Sequence, residues 1–266
     1  MISPRLQVLI CTYGAAGIQR IAAAAHPRVE GVEYVVCWQQ PEGELPVPEE
    51  LRRDDFSIYT FRTRGSGANR NHCLDHASAP LLLMADDDLQ YTADGLQAVI
   101  DAFDNNPGCE VLTFMYDTDS EAKGYPPHSF DLHHAPKGYF ASAIEIAFRS
   151  RSVLGKFRFN EHFGVNCDFC SGEDDLFFNS LLKAGLPGRF IPHAICFHPG
   201  PSTCTRQNPD VLTANKGAVF LGLHPRLWPL YMLSHALRQP CGERRRYCRL
   251  WISGVRRARS LNAFTR

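Results

Sequence analysis

The chain has 266 residues, 44% of them hydrophobic and 21% charged, the balance of an ordinary globular protein long enough to build its own core. Its formal net charge is zero, which excludes polyanion binding driven by bulk charge, and its ten cysteines lack the regular framework of a disulfide-stapled domain. No window approaches eighteen uninterrupted apolar residues, and the start has no basic-then-apolar leader, so the expectation is a cytoplasmic protein with reduced thiols and no membrane-spanning helix.

Residues 7–11 (QVLIC) read as a strand ending at Thr12-Tyr13-Gly14, and residues 18–25 read as a helix closed by His26-Pro27. A second strand spans 32–38 (VEYVVCW), a Pro- and Glu-rich loop 42–48, and a third strand 56–61 (FSIYTF). Gly65-Ser66-Gly67 leads into a helix over 68–77, and the continuous apolar run 80–85 (PLLLMA) reads as a central buried strand. A helix at 93–105, with Thr92 or Asp94 as its cap, precedes a strand at 110–115. Residues 120–137 form an irregular segment rich in Pro, His and Gly; 144–148 is a strand, 173–184 a helix, and 189–197 a last strand. From Asp210 three helical stretches follow, at 211–223, 227–237 and 247–261. The end of the chain carries Arg238, Arg244, Arg245, Arg246, Arg249, Arg256, Arg257, Arg259 and Arg266 against Glu243 alone.

Alternating strands and helices with apolar strands predict an α/β domain, a mostly parallel sheet flanked by helices. The expected division is 1–205 for that domain and 206–266 for a basic helical C-terminal region. In such sheets ligands sit outside the carboxyl ends of the strands. That rule directs attention to Thr12-Tyr13, Trp38-Gln39, residues 62–67 and Asp86-Asp87-Asp88.

Three adjacent carboxylates at the end of a buried strand repel one another and resist desolvation. A divalent cation relieves both costs, and Mg²⁺ or Mn²⁺ takes carboxylate oxygen together with phosphate oxygen. A cation held there would neutralise a departing diphosphate. The plainer explanation is a polar turn. Ser171-Gly172-Glu173-Asp174-Asp175 opens the helix at 173–184. Acidic residues in a first helical turn face its positive end, which alone accounts for them; a carboxylate there facing a cleft would also serve as a general base.

Together these features resemble the family 2 glycosyltransferases of GT-A fold, over roughly residues 6 to 205. The matching segments are Val8-Leu9-Ile10-Cys11-Thr12-Tyr13, Gly67-Ala68-Asn69-Arg70-Asn71, Leu83-Met84-Ala85-Asp86-Asp87-Asp88 as a DXD-type motif, and Gly172-Glu173-Asp174 as an ED motif. The resemblance implies a Rossmann-like GT-A domain with a helical extension. It implies transfer of a sugar with inversion from a nucleotide sugar, a UDP-sugar by family frequency, to a hydroxyl, in surface polysaccharide or glycolipid synthesis. In that reading Thr12 and Tyr13 line the nucleotide pocket, Arg70 reaches the nucleotide or its phosphates with Asn69 and Asn71 nearby, and Asp86 approaches the ribose or donor sugar. Asp87 or Asp88 binds Mn²⁺ or Mg²⁺, Asp174 is the general base, and Glu173 contacts acceptor or donor. His198, after Ile195-Cys196-Phe197, takes the place of a downstream metal ligand, with His193 as its rival. Where many relatives carry an Asp after the second strand, this chain has Gln39 beside Trp38; the amide would hydrogen-bond a base edge and the indole would stack on it.

Two other functions fit less of the pattern. A sugar nucleotidyltransferase of related fold would carry a Gly-rich basic loop after the first strand, where this chain has Thr-Tyr-Gly. A non-catalytic nucleotide-sugar-binding module would not need both Asp174 and the acidic triplet. Cys167-Asp168-Phe169-Cys170 has no second pair at zinc spacing, and His133-His134 reads as loop. The basic C-terminal helices are either a solvated surface or a peripheral contact with the inner face of the cell membrane, where a lipid-linked or glycan acceptor would be met; no nucleic-acid-reading motif accompanies them.

Overall fold

The computed structural model describes residues 3–40, 42–120, 123–200 and 207–264. Arg266 and the expected boundary at 205/206 lie outside the described residues. The chain divides into two compact units. The first comprises the described residues within 3–64, 68–158 and 180–200; the second comprises 65–67, 159–179 and 207–264.

The first unit holds a nine-stranded sheet. In chain order its elements are β1 (Leu6–Tyr13), α1 (Gly14–Ala23), β2 (Val32–Gln39), β3 (Phe56–Phe61), α2 (Ser66–His76), β4 (Leu81–Asp86), β5 (Gln90–Tyr91), α3 (Ala93–Asn105), β6 (Val111–Asp117), β7 (Phe130–Asp131), β8 (Ile146–Arg149), α4 (Ser150–Val153), α5 (Glu173–Lys183) and β9 (Gly188–Phe197). Residues 66–67 of α2 and 173–179 of α5 count with the second unit. The strand order is β3-β2-β1-β4-β8-β6-β9-β5, with β7 also on β9. β1, β2, β3 and β4 run parallel, and β6 runs parallel to β9. β8 is antiparallel to both β4 and β6, and the two-residue strands β5 and β7 are antiparallel to β9. The expectation of an α/β fold with a mostly parallel sheet holds: β1, β2, β3, β4, β6 and β9 share one direction, and β5, β7 and β8 run against them, so the sheet is mixed. An apolar run reads the same in either direction, and β5 and β7 are too short to show any period.

The strands are apolar because helices cover the sheet: Val8, Leu9, Ile10, Leu82, Leu83 and Met84 are wholly buried. Helix α3 starts where Thr92 accepts the Gly95 amide at 3.0 Å, which settles its cap between Thr92 and Asp94. The chain runs from β1 outward through β2 to β3, then returns to place β4 on the other side of β1. The carboxyl ends of β1 and β4 therefore flank a topological switch point, the place where open α/β sheets open a crevice.

The second unit contains α6 (Pro209–Leu223), α7 (Trp228–Leu237) and α8 (Arg244–Ser260). Its core includes Phe163, Phe169, Ala218, Val219, Trp251 and Val255. Gly254 lets α8 approach α6 closely, since a Cβ there would overlap the Ala214 carbonyl. Among the described residues no helix is long and apolar enough to cross a membrane.

Candidate active site

Parallel register sets Cys11 beside Asp86, so Thr12 and Asp87 emerge together from the ends of β1 and β4. Thr12 Oγ1 donates to Asp87 Oδ2 at 2.6 Å. Arg20, two turns into α1, closes on the other oxygen, with Nε and Nη2 at 2.9 and 2.6 Å from Asp87 Oδ1. Gly17 makes this possible: a Cβ there would overlap Thr12 Oγ1 and come within 2.5 Å of Asp87 Oδ2. Burial pushes the Asp87 carboxyl above the ordinary carboxylate range, and the bonds from Thr12 and Arg20 oppose that push.

Asp86 meets Arg70 from α2, with Nη2 at 3.1 Å from Oδ1. Arg70 is 4% exposed, so α2 delivers a cation into the interior that touches a half-exposed carboxylate at the crevice. Asn69 does not point at Asp86; its Nδ2 donates to the Thr12 carbonyl at 3.0 Å and ties α2 to the end of β1. Asn71 is also buried.

Asp88 meets neither arginine by hydrogen bond among the described residues; its neighbour is His198. The antiparallel register of Gln90 with Phe197 carries the chain after β9 past the triplet. His198 Nε2 then lies 3.6 Å from Asp88 Oδ2. His193, its rival from the sequence, is exposed farther back on β9. Asp88 Oδ1 is buried with no hydrogen-bond partner. Burial first, and then the charge of Asp86, push the Asp88 carboxyl up, while His198 opposes them. Among the described residues no three His, Cys, Asp or Glu side chains are grouped to hold a metal by themselves. A carboxylate with Oδ1 unpartnered and Oδ2 near an imidazole nitrogen is nonetheless, together with that nitrogen, a donor set suited to a hard or borderline cation whose other ligands are phosphate and water. Asp87 offers less, because Thr12 and Arg20 engage both its oxygens.

Tyr13 is half-buried at the end of β1. Gln39 is 2% exposed and its Nε2 donates to Thr63 Oγ1 at 3.1 Å. Trp38 is wholly buried with its indole N–H on the Gly14 carbonyl, so it packs in the core instead of offering a face to a base. The Gly17–Arg20 pair was not singled out from the sequence.

In the second unit Glu173 and Asp174 open α5. Glu173 is 6% exposed and accepts the Ser66 hydroxyl at 2.9 Å on Oε1. Gly164, with φ +113°, passes close against that pair. Asp174 is half-buried in the same first turn. Cys167 and Cys170 are free thiols, and His133 donates its ring N–H to the Leu186 carbonyl at 2.9 Å.

A family model described as Glycosyl transferase family 2 matches residues 47–180. No curated protein sequence matches the chain. Among solved structures, S. aureus TarS 1-349 in complex with UDP superposes with TM-score 0.62 at 16% identity, over 91% of this chain and 78% of that one. The same TarS fragment in complex with UDP-GlcNAc gives TM-score 0.60 at 15% identity, over 94% and 79%. Mannosyltransferase PcManGT from Pyrobaculum calidifontis, in complex with GDP-Man and Mn²⁺, gives TM-score 0.55 at 13% identity, over 98% and 76%. At these identities the likeness is one of fold, that of GT-A glycosyltransferases.

Proposed function

The chain belongs to glycosyl transferase family 2, and from that membership we propose that it is an inverting, metal-dependent transferase moving a sugar from a nucleotide donor, a UDP-sugar, to a hydroxyl acceptor in surface polysaccharide or glycolipid synthesis. The observation that carries the reading is the meeting of Thr12, Arg20, Arg70 and the three aspartates at the switch point between β1 and β4. Solved neighbours of the same fold in complex with UDP, UDP-GlcNAc and GDP-Man support a nucleotide-sugar donor.

Asp88 and His198 would hold the cation, Mn²⁺ or Mg²⁺; when bound it supplies charge neutralisation of the departing diphosphate. Arg70 and Arg20 place fixed positive charge beside the aspartates and offset their mutual repulsion. Thr12 and Tyr13 bound the nucleotide pocket, Gln39 lies at the end of the neighbouring strand, and Asp86 approaches the donor ribose or sugar. Of the two alternatives, Asp87 or Asp88, Asp87 instead orients the loop through Thr12 and Arg20.

Asp174 serves as the base: the acceptor oxygen forms its bond to the anomeric carbon as the bond to the diphosphate breaks, and the acceptor proton passes to the Asp174 carboxylate. Glu173, held by Ser66, contacts acceptor or donor. Residues 1–205 would form the catalytic domain and 206–266 a helical extension. The test is turnover over a panel of UDP-, GDP- and dTDP-sugars with Mn²⁺, with Asp174→Asn as the diagnostic variant. Asp174→Asn should bind donor like the wild type and lose turnover by about 100-fold or more. Undiminished turnover would refute the base assignment.

A further inference from the structure

Helix α7 carries apolar side chains on both of its faces. Trp228, Tyr231 and Met232 pack on the core of the second unit. The opposite face presents Leu230, Leu233 and Leu237, which are 64%, 53% and 57% exposed, with Leu227 just before the helix at 51%. These four are nearly half of the nine large hydrophobic side chains exposed among the described residues, and they fall within eleven consecutive positions. The solvent face of a globular helix is ordinarily polar, so such a concentration marks an interaction surface.

The surroundings of the ridge identify its partner. No acidic residue occurs on α7, and residues 207–264 carry ten Lys and Arg against Asp210 and Glu243 alone. Arg226, Arg238, Arg245 and Arg249 are exposed and, among the described residues, make no ion pair. Other arginines of the unit are spent on the protein itself: Arg246 pairs with Asp210 at 2.5 Å, and Arg244 donates to the carbonyls of Leu237 and Gln239. Between α7 and α8 runs a groove of about 620 Å³ lined by Leu233, Ala236, Leu237 and Cys248 together with Arg244, Arg245 and Arg249.

We propose that this face docks on an anionic lipid bilayer, the leucines entering the acyl boundary and the four arginines meeting headgroup phosphates. Charge argues against a second copy of the chain as the occupant, because closing the face on itself would bring together two copies of a unit whose residues 207–264 carry ten Lys and Arg against two acidic residues. The proposal stands apart from the donor site and survives if the transferase reading fails.

The full chain is tested by co-sedimentation with vesicles of phosphatidylcholine alone and with roughly 30% phosphatidylglycerol. The wild type should bind only the anionic vesicles and release as ionic strength rises. Arg245→Gln with Arg249→Gln should weaken partitioning about fivefold per charge removed. Leu230→Ser with Leu233→Ser should weaken it by about tenfold or more at unchanged helix content by circular dichroism. If the leucine variant fails to fold, the arginine variant, altered only at exposed positions, decides. Absent or equal binding to the two vesicle types would overturn the proposal, as would a wild-type dimer split by the leucine changes without any vesicle binding.

Discussion

Replacing Gly17 by alanine acts on the site at its tightest point. In the interior of α1 the change alone stabilises the helix by about 0.5–1 kcal/mol, since glycine has more backbone freedom to lose. The added Cβ, however, would overlap the Thr12 hydroxyl and crowd Asp87 Oδ2. Thr12 must turn away and give up its bond to a buried carboxylate, a loss of about 1.5–3 kcal/mol. The balance is a net destabilisation of about 1–2 kcal/mol, with Asp87 still held on one side by Arg20. Displacement of the carboxylate next to the proposed cation should also weaken UDP binding by about tenfold. Urea unfolding and calorimetric titration with UDP and Mn²⁺ read the two effects. On a Thr12→Ala background the overlap with the hydroxyl is gone, so the cost of Gly17→Ala should shrink. A Gly17→Ala protein that is more stable by about 1 kcal/mol and binds UDP unchanged would refute the reasoning.

Arg20→Met removes a half-exposed ion pair and should change stability by less than about 1 kcal/mol, while donor affinity falls as Asp87 loses its second anchor; equal affinity by calorimetry would count against the pairing as functional. His26 gives the pH dependence. It is 4% exposed among the rings of Tyr34, Phe56 and Tyr91, and burial foremost, then the charge of Arg53, lowers its pKa from 6.5 to about 4. Between those values the unfolded chain binds the proton and the folded one does not, so stability rises with pH across that window and is lost as pH falls through it. The loss approaches about 3 kcal/mol by pH 4. Urea midpoints of wild type and His26→Gln should diverge over that window, and parallel profiles would exclude His26 as the source.

The acidic triplet was legible because three charged residues end an apolar run, an arrangement that only a strand terminus tolerates. Thr12 and Arg70 were legible through the resemblance, and the strand-end rule pointed independently at Thr12 but not at Arg70, which lies inside α2. Arg20 and Gly17 were not. Arg20 looks like any exposed helical arginine, and its partner lies 67 residues away, brought near only by the pairing of β1 with β4. Trp38 misled for a related reason: a residue at the end of a strand is not thereby at the surface, and here α1 covers the indole through the Gly14 carbonyl. The reversed direction of β8 was hidden because β8 is as apolar as β4 and β6, which run against it. The leucine ridge of α7 was not legible, because only the fold shows that the aromatic side of the helix faces inward and its leucines outward.

The central claim is that Asp88, with Oδ1 unpartnered and Oδ2 beside His198, grips a cation and through it a diphosphate. Calorimetric titration of UDP with and without Mn²⁺, on wild type and Asp88→Asn, tests it most directly. The wild type should bind UDP at least about tenfold tighter with the metal, and Asp88→Asn should lose that gain while keeping its metal-free affinity. A wild type indifferent to Mn²⁺, or an Asp88→Asn protein that retains the full metal effect, would contradict the account.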